Sequence, residues 1–357
     1  MTRLVSFHPV EPGFFSEVVQ PLVGGVKLNP EPFLARALKH RVGAWAARRY
    51  VATLDGLLEQ SAPPPPPQSG SMWEKIRARL EVFDFKADPL ATMVKHAVQR
   101  DLHVNGRPFL IADESPEAVS RTVDRYRSAA TPSMVEQLVE AQLLLMNPKL
   151  AGRIQPDSDS EMPPDLGYKA ELMDVMRELY DLAAAARRGD LCDDQDGQRV
   201  PATTVLPDVL PWRAAWLHSR IQPFWMARDV DGLSGICRAA GMPGPEDVMP
   251  AWTLLGDICE EFPRLRETMS ADIRTPQSTG AYVAPDDIPA LLRFLKEKGA
   301  GIIQAATRHG EGRTCATLLS KIRECATYAG SHGLGYLEAS GIEPVGPGPL
   351  PEDDLFC

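Results

Sequence analysis

A hydrogen-bonding side chain stands directly before a proline at Asn29-Pro30, Asp88-Pro89, Ser115-Pro116 and Thr131-Pro132. Such a pair suits the first turn of a helix, because the side chain accepts from an amide that lacks an intrahelical partner and the proline has no N–H to satisfy. Ser71-Met72-Trp73-Glu74 adds a capping-box pattern, in which the serine reaches the amide of the position that the glutamate occupies. The high proline count, 33, therefore reads as punctuation between helices rather than as disorder.

Apolar spacing agrees with these starts. Leu34, Leu38, Val42, Trp45, Leu54, Leu57 and Leu58 recur every three or four residues, which predicts one long helix from Glu31 to Gln60, or two broken near Gly43 or Gly56. Helical patterns follow over 116–128, 132–146 and 168–187, the last stopping at Gly189. In the final third, Pro285-Asp286-Asp287 opens a helix to Gly299, a second covers 300–309, and a third runs from Arg313 to Ala329. Asn105-Gly106 supplies the positive φ of a two-residue turn, so Leu102 to Ile111 is the one expected β-hairpin. The expected fold class is thus mostly α: a multi-helix globular body with one small β-hairpin at about 102–111.

Composition shifts divide the chain. Pro63 to Pro67 with Gln68-Ser69-Gly70 reads as a linker at 63–70, between an N-terminal helical element at 1–62 and a helical region with the hairpin at 71–155. The acidic run Asp157 to Glu161 precedes a C-terminal helical region at 166–343, and a Pro- and Gly-rich tail at 344–357 is expected to be flexible.

A formal net charge of -10 argues against nucleic acid as the main partner, because phosphate backbones call for a positive field. The first residues carry no long apolar run of a signal peptide, and no segment is apolar enough for a membrane span, so no membrane is expected. Six cysteines, with no Cys-x-x-Cys pair, suit reduced thiols in a cytoplasmic protein. Asp229-Val230-Asp231-Gly232 and Asp194-Gln195-Asp196-Gly197 imitate part of a calcium loop, but Arg238 and Thr203 stand where its closing ligand belongs. Neither zinc spacing, a Walker loop nor a dinucleotide fingerprint is present, so no metal and no cofactor are expected.

Chemistry concentrates at Arg308-His309-Gly310-Glu311-Gly312. The tract resembles the Arg-His-Gly-Glu signature of histidine phosphatases, and the resemblance implies a phosphate-holding arginine and a nucleophilic histidine. It covers four residues, and the short chain beyond His309 would hold the rest of such a domain only if it were circularly permuted. His309, Glu311 and Cys315 are the candidate catalytic residues, and Arg308, Arg313 and Lys321 the candidate anion-binding ones. Trp212 and Trp216 lie one helical turn apart and, with Trp225, mark the most aromatic stretch, a candidate interaction surface for a protein partner. The favoured reading is a non-catalytic soluble interaction or regulatory protein acting through helical surfaces. Its alternative is a phosphate-handling enzyme or anion sensor centred on the Arg308–Glu311 turn.

Overall fold

A computed structural model of the chain describes residues 4–61, 111–113, 115–146, 148, 154–158, 161–162, 164–194, 197–228, 232–244, 273, 277–343 and 345, with only the main chain at 48 and 51–61. The 63–70 linker, the Ser71 capping box, the Asp88-Pro89 helix start and the 102–111 hairpin apart from Ile111 lie outside the described residues. So do most of Asp229 to Gly232 and nearly all of the 344–357 tail.

From the N-terminus, strand β1 (Leu4–Val10) leads into a continuous helical segment, α1, made of Pro12–Phe14, a π-helical turn Phe15–Val19, and Gln20–Gly24. The next three helices begin as their side chains dictate. Asn29 Oδ1 accepts from the Glu31 amide at 3.2 Å at the head of α2 (Glu31–Ser61). Ser115 Oγ accepts from the Ala118 amide at 3.4 Å to open α3 (Pro116–Ser128), and Thr131 Oγ1 accepts from the Met134 amide at 3.4 Å to open α4 (Pro132–Met146). Helix α5 (Asp165–Arg188) ends at Gly189, whose φ of 74° lets its amide return to the Ala185 and Ala186 carbonyls.

A short ladder of β2 (Leu191–Asp193) and β3 (Arg199–Pro201) precedes α6 (Ala202–Ser219). Then come β4 (Trp225–Arg228), α7 (Leu233–Ala239) and β5 (Thr279–Val283). After a 3-10 turn at Pro285–Asp287 the chain closes with α8 (Ile288–Arg308), α9 (Gly312–Ser331) and β6 (Gly335–Ser340).

The fold is mostly helical, as expected, but the helices sandwich a four-stranded sheet ordered β4-β1-β6-β5 with antiparallel neighbours. The sequence reading contains no such sheet. Its strands come from opposite ends of the chain, and the one at the centre, β1, is covered on both faces. Val5 and Phe7 point to one core with Trp225, Ala227 and Tyr336, closed by α3, α8 and α9. Val10, Met226, Leu337 and Ala339 point to the other, closed by α1, α5 and α6. Polar Ser6 and His8 sit on this second buried face, at 0% and 1% exposure, so an alternation that looks half-solvated in sequence is not solvated at all. Pro9 is tolerated because β4 ends opposite Phe7, leaving β1 paired only with β6 at that position.

Helix α2 joins the two cores: Phe33, Leu34 and Ala37 belong to one, Ala46, Ala47 and Tyr50 to the other. It does not break at Gly43, where the missing side chain admits the Tyr126 ring of α3. Nor does Gly299 end a helix. The expected division into two helices at 299–300 is replaced by the single α8, because Gly299 is buried at the α8–α9 contact, facing Leu319 Cδ1 at 4.0 Å from the position of a Cβ. Among the described residues no helix is long and apolar enough to cross a membrane.

Candidate interaction site

The Arg308–Arg313 turn connects α8 and α9 at the surface. His309 is the C-cap of α8, Gly310 takes a φ of 83°, and Glu311 is the N-cap of α9. Arg308, His309, Glu311 and Arg313 are all exposed, and none of these side chains makes a hydrogen bond or ion pair with the described residues. Lys321 does not join them. It lies 2% exposed against the sheet, its Nζ donating to the Met226 carbonyl at 2.7 Å. Cys315 is buried one turn into α9, and burial together with the Glu311 carboxylate pushes its thiol pKa up, opposite to what a thiolate nucleophile requires. The turn thus brings together residues of one segment only.

The tryptophans separate. Trp225 is fully buried on the α9 side of the sheet, where its Nε1 donates to Glu324 Oε2 at 2.9 Å, so it is a core residue with no surface to offer a partner. Trp212 and Trp216 line one polar cavity of about 490 Å³ on the opposite side. Helical spacing puts Trp212, Trp216 and Arg220 on one face at the end of α6, while the opposite face, Leu206, Leu210 and Leu217, packs in the core.

Each wall of the cavity pairs a cation with an aromatic ring. The Arg220 guanidinium lies 4.4 Å from the Trp216 ring centre and that of Arg41, from α2, lies 4.7 Å from the Tyr168 ring of α5. Arg220 is 7% exposed and donates through Nη2 to the Glu343 carbonyl at 2.9 Å, and Trp212 Nε1 donates to the Ser340 carbonyl at 2.7 Å. These bonds tie α6 to the segment leaving β6 and fix the rings. Gln277 and Glu171 complete the polar lining. Gln277 has a φ of 59°, the left-handed region that a non-glycine residue enters at a cost, and such strain tends to be kept where a side chain has work to do.

The Tyr168 hydroxyl is buried, with no hydrogen-bond partner among the described residues. Burial is the main cause that pushes its pKa up to about 12; the Glu171 carboxylate adds to it, while Arg220 and Arg41 oppose it. The group is therefore a neutral donor at physiological pH, held beside two guanidinium groups and lacking an acceptor.

Comparison with protein-family models, with curated proteins and with solved structures gave no match. The chain's own geometry is what its function has to be read from.

Sequence reasoning reached Trp212 and Trp216 but missed Arg41, Tyr168, Glu171, Arg220 and Gln277. Arg220 carried a usable signal, since it stands one turn beyond Trp216 on the same helix. Arg41 and Gln277 carried none, because tertiary packing alone brings α2 and the start of β5 to α6. Among the described residues no group of three or more His, Cys, Asp or Glu is placed to hold a metal ion.

Proposed function

We propose that the protein is a non-catalytic interaction or regulatory protein of the cytoplasm that engages a protein partner at the cavity of Trp212, Trp216, Tyr168 and Arg41. The observation that carries this reading is a cavity walled by aromatic and guanidinium groups, among them Tyr168, whose buried hydroxyl has no hydrogen-bond partner among the described residues. Trp, Tyr and Arg are the residue types that dominate binding energy at protein interfaces, because each contributes a large rigid surface and a polar end. The fitting partner segment presents a main-chain carbonyl or a carboxylate. Either would accept from Tyr168 Oη and Arg41, and so supply an acceptor that the described residues do not.

Affinity capture with the full-length chain tests this, in parallel with Trp216→Ala, Tyr168→Phe and Leu191→Ala; Leu191 is an exposed apolar residue on β2 outside the cavity. A partner held by the wild type and by Leu191→Ala, but lost by both cavity variants, supports the reading. A partner retained equally by all four chains rules this surface out.

A further inference from the structure

A second cavity, of about 280 Å³, lies between α2 and the α3–α4 connection. Its polar lining includes Arg36, Lys39, His40, Arg127 and Thr131, and its apolar wall includes Val42, Val135 and Ile221. The cations are placed by helical spacing and by one another. Arg36, Lys39 and His40 lie within a single turn of α2, and Lys39 Nζ donates to the Arg127 carbonyl at 3.1 Å. Arg127 is held from its other side, donating through Nη1 to Tyr328 Oη at 2.7 Å.

One carboxylate is bonded to this group. Glu11 accepts from Arg36 Nη2 at 2.6 Å and from Arg127 Nη2 at 2.7 Å. Three cations stand against Glu11, with Asp124 also acting on Arg127, so among the described residues positive charge gathers here in a chain whose formal charge is -10. Burial opposes the charge on Arg127, but Tyr328, Glu11 and Asp124 outweigh it and hold its pKa above the ordinary value, so the guanidinium stays charged. Burial and the Arg220 and Arg127 guanidinium groups push the His40 pKa down to about 3, so its imidazole is neutral and able to accept a hydrogen bond from a bound hydroxyl.

We propose that this cavity binds a small phosphomonoester, its phosphate between Arg36, Lys39 and Arg127 and a short apolar group against Val42, Val135 and Ile221. A phosphomonoester carries close to two negative charges at neutral pH and three acceptor oxygens, which matches the charge excess and the donors of two guanidinium forks and an ammonium. Small-ligand cavities run from roughly 300 to 1,000 Å³, so this one, at about 280 Å³ just below that range, takes a compact ligand rather than a nucleotide. The site shares no lining residue with the Trp216 cavity, although Arg220 of that cavity acts on His40, and the proposal does not rest on the partner proposed there.

The test is thermal denaturation and calorimetric titration of the full-length chain with ethyl phosphate, propanoate and sulfate at matched ionic strength, repeated on Arg36→Gln/Lys39→Gln. Both replaced residues are exposed, and circular dichroism with the ligand-free melting temperature checks that the variant keeps the fold without the Glu11 and Arg127 contacts. The expected result is a raised melting temperature with ethyl phosphate, a smaller rise with propanoate or sulfate, and an affinity weakened by about tenfold or more in the variant, the size of one lost charge-assisted bond. Absence of any response to ethyl phosphate overturns the proposal, as does a response that survives in the variant. An equal response to sulfate or propanoate overturns the assignment to phosphomonoesters.

Discussion

The indole Nε1 of Trp225 donates to Glu324 Oε2 at 2.9 Å across the contact between β4 and α9, with exposures of 0% and 6%. A strand and a helix whose bonded residues are 99 positions apart are thereby fixed to each other by a hydrogen bond inside the apolar core. Trp225→Phe keeps an aromatic ring but removes the donor and part of the indole volume. The variant is expected to lose about 1–3 kcal/mol, seen as a lower urea midpoint with an unchanged m-value. A midpoint equal to that of the wild type would mean that the bond contributes nothing net.

Gly232 precedes α7, and a Cβ there would collide with the Glu338 carboxylate, which accepts from the Leu233 amide through both oxygens at 3.2 Å. Glu338 is fully buried in β6 and also accepts from Tyr336 Oη at 2.8 Å, so it has little room to retreat. Gly232→Ala is therefore expected to cost about 1–3 kcal/mol by overpacking. Ordinary backbone at this residue, with a φ of -60°, means that any loss comes from the collision rather than from the glycine's conformational freedom.

At Gly43 two effects compete. Alanine favours a helix interior over glycine by roughly 0.5–1 kcal/mol, but here its Cβ would lie 2.9 Å from Tyr126 Oη and 3.2 Å from the ring. Tyr126 is 4% exposed and donates to the His40 carbonyl at 3.3 Å, so the ring cannot swing away without losing that bond. The collision wins, and Gly43→Ala is expected to be destabilising. Adding Tyr126→Phe to it should cost less than Tyr126→Phe costs alone, a non-additivity that chemical denaturation of the four chains measures directly.

Acid sensitivity follows from three histidines. Burial is the first cause in each: it lowers His8 well below 6.5 and takes His218 and His40 down to about 3, with neighbouring cationic groups adding to it. Their folded pKa values lie below the unfolded value, so as pH falls below about 6.5 the unfolded chain binds more protons and the stability of the fold falls. Above 6.5 the contribution is complete. Between pH 6.5 and 5, where most carboxylates stay ionised, each such histidine contributes a slope of up to about 1.4 kcal/mol per pH unit. Urea midpoints that do not drop between pH 7 and pH 5 would falsify this assignment of neutral buried imidazoles.

The helices were legible because their signals are local. Ser115-Pro116 and Thr131-Pro132 cap the helices they promise, Gly189 ends the one expected to stop there, and Trp212 and Trp216 share a face. The glycines were less legible, since a close approach looks like a break until the neighbour is known: Gly43 meets Tyr126 and Gly299 faces Leu319. The cavities were legible only in part. Trp216 announced itself, whereas Arg41 and Gln277 reach it from segments whose sequence says nothing about where they will pack.

By itself the sequence determined the helices, their caps and their apolar stripes, because propensity, capping and 3.6-residue periodicity act between residues a few positions apart. Only the tertiary structure decided that Leu4 to Val10 would be a central strand of a sheet, with Ser6 and His8 buried, and that the first half of α2 would meet the end of α6 at two cavities. Strand pairing across nearly the whole chain, such as Val5 with Ser340, depends on which surfaces exclude water together, and that choice leaves no periodic mark on either segment alone.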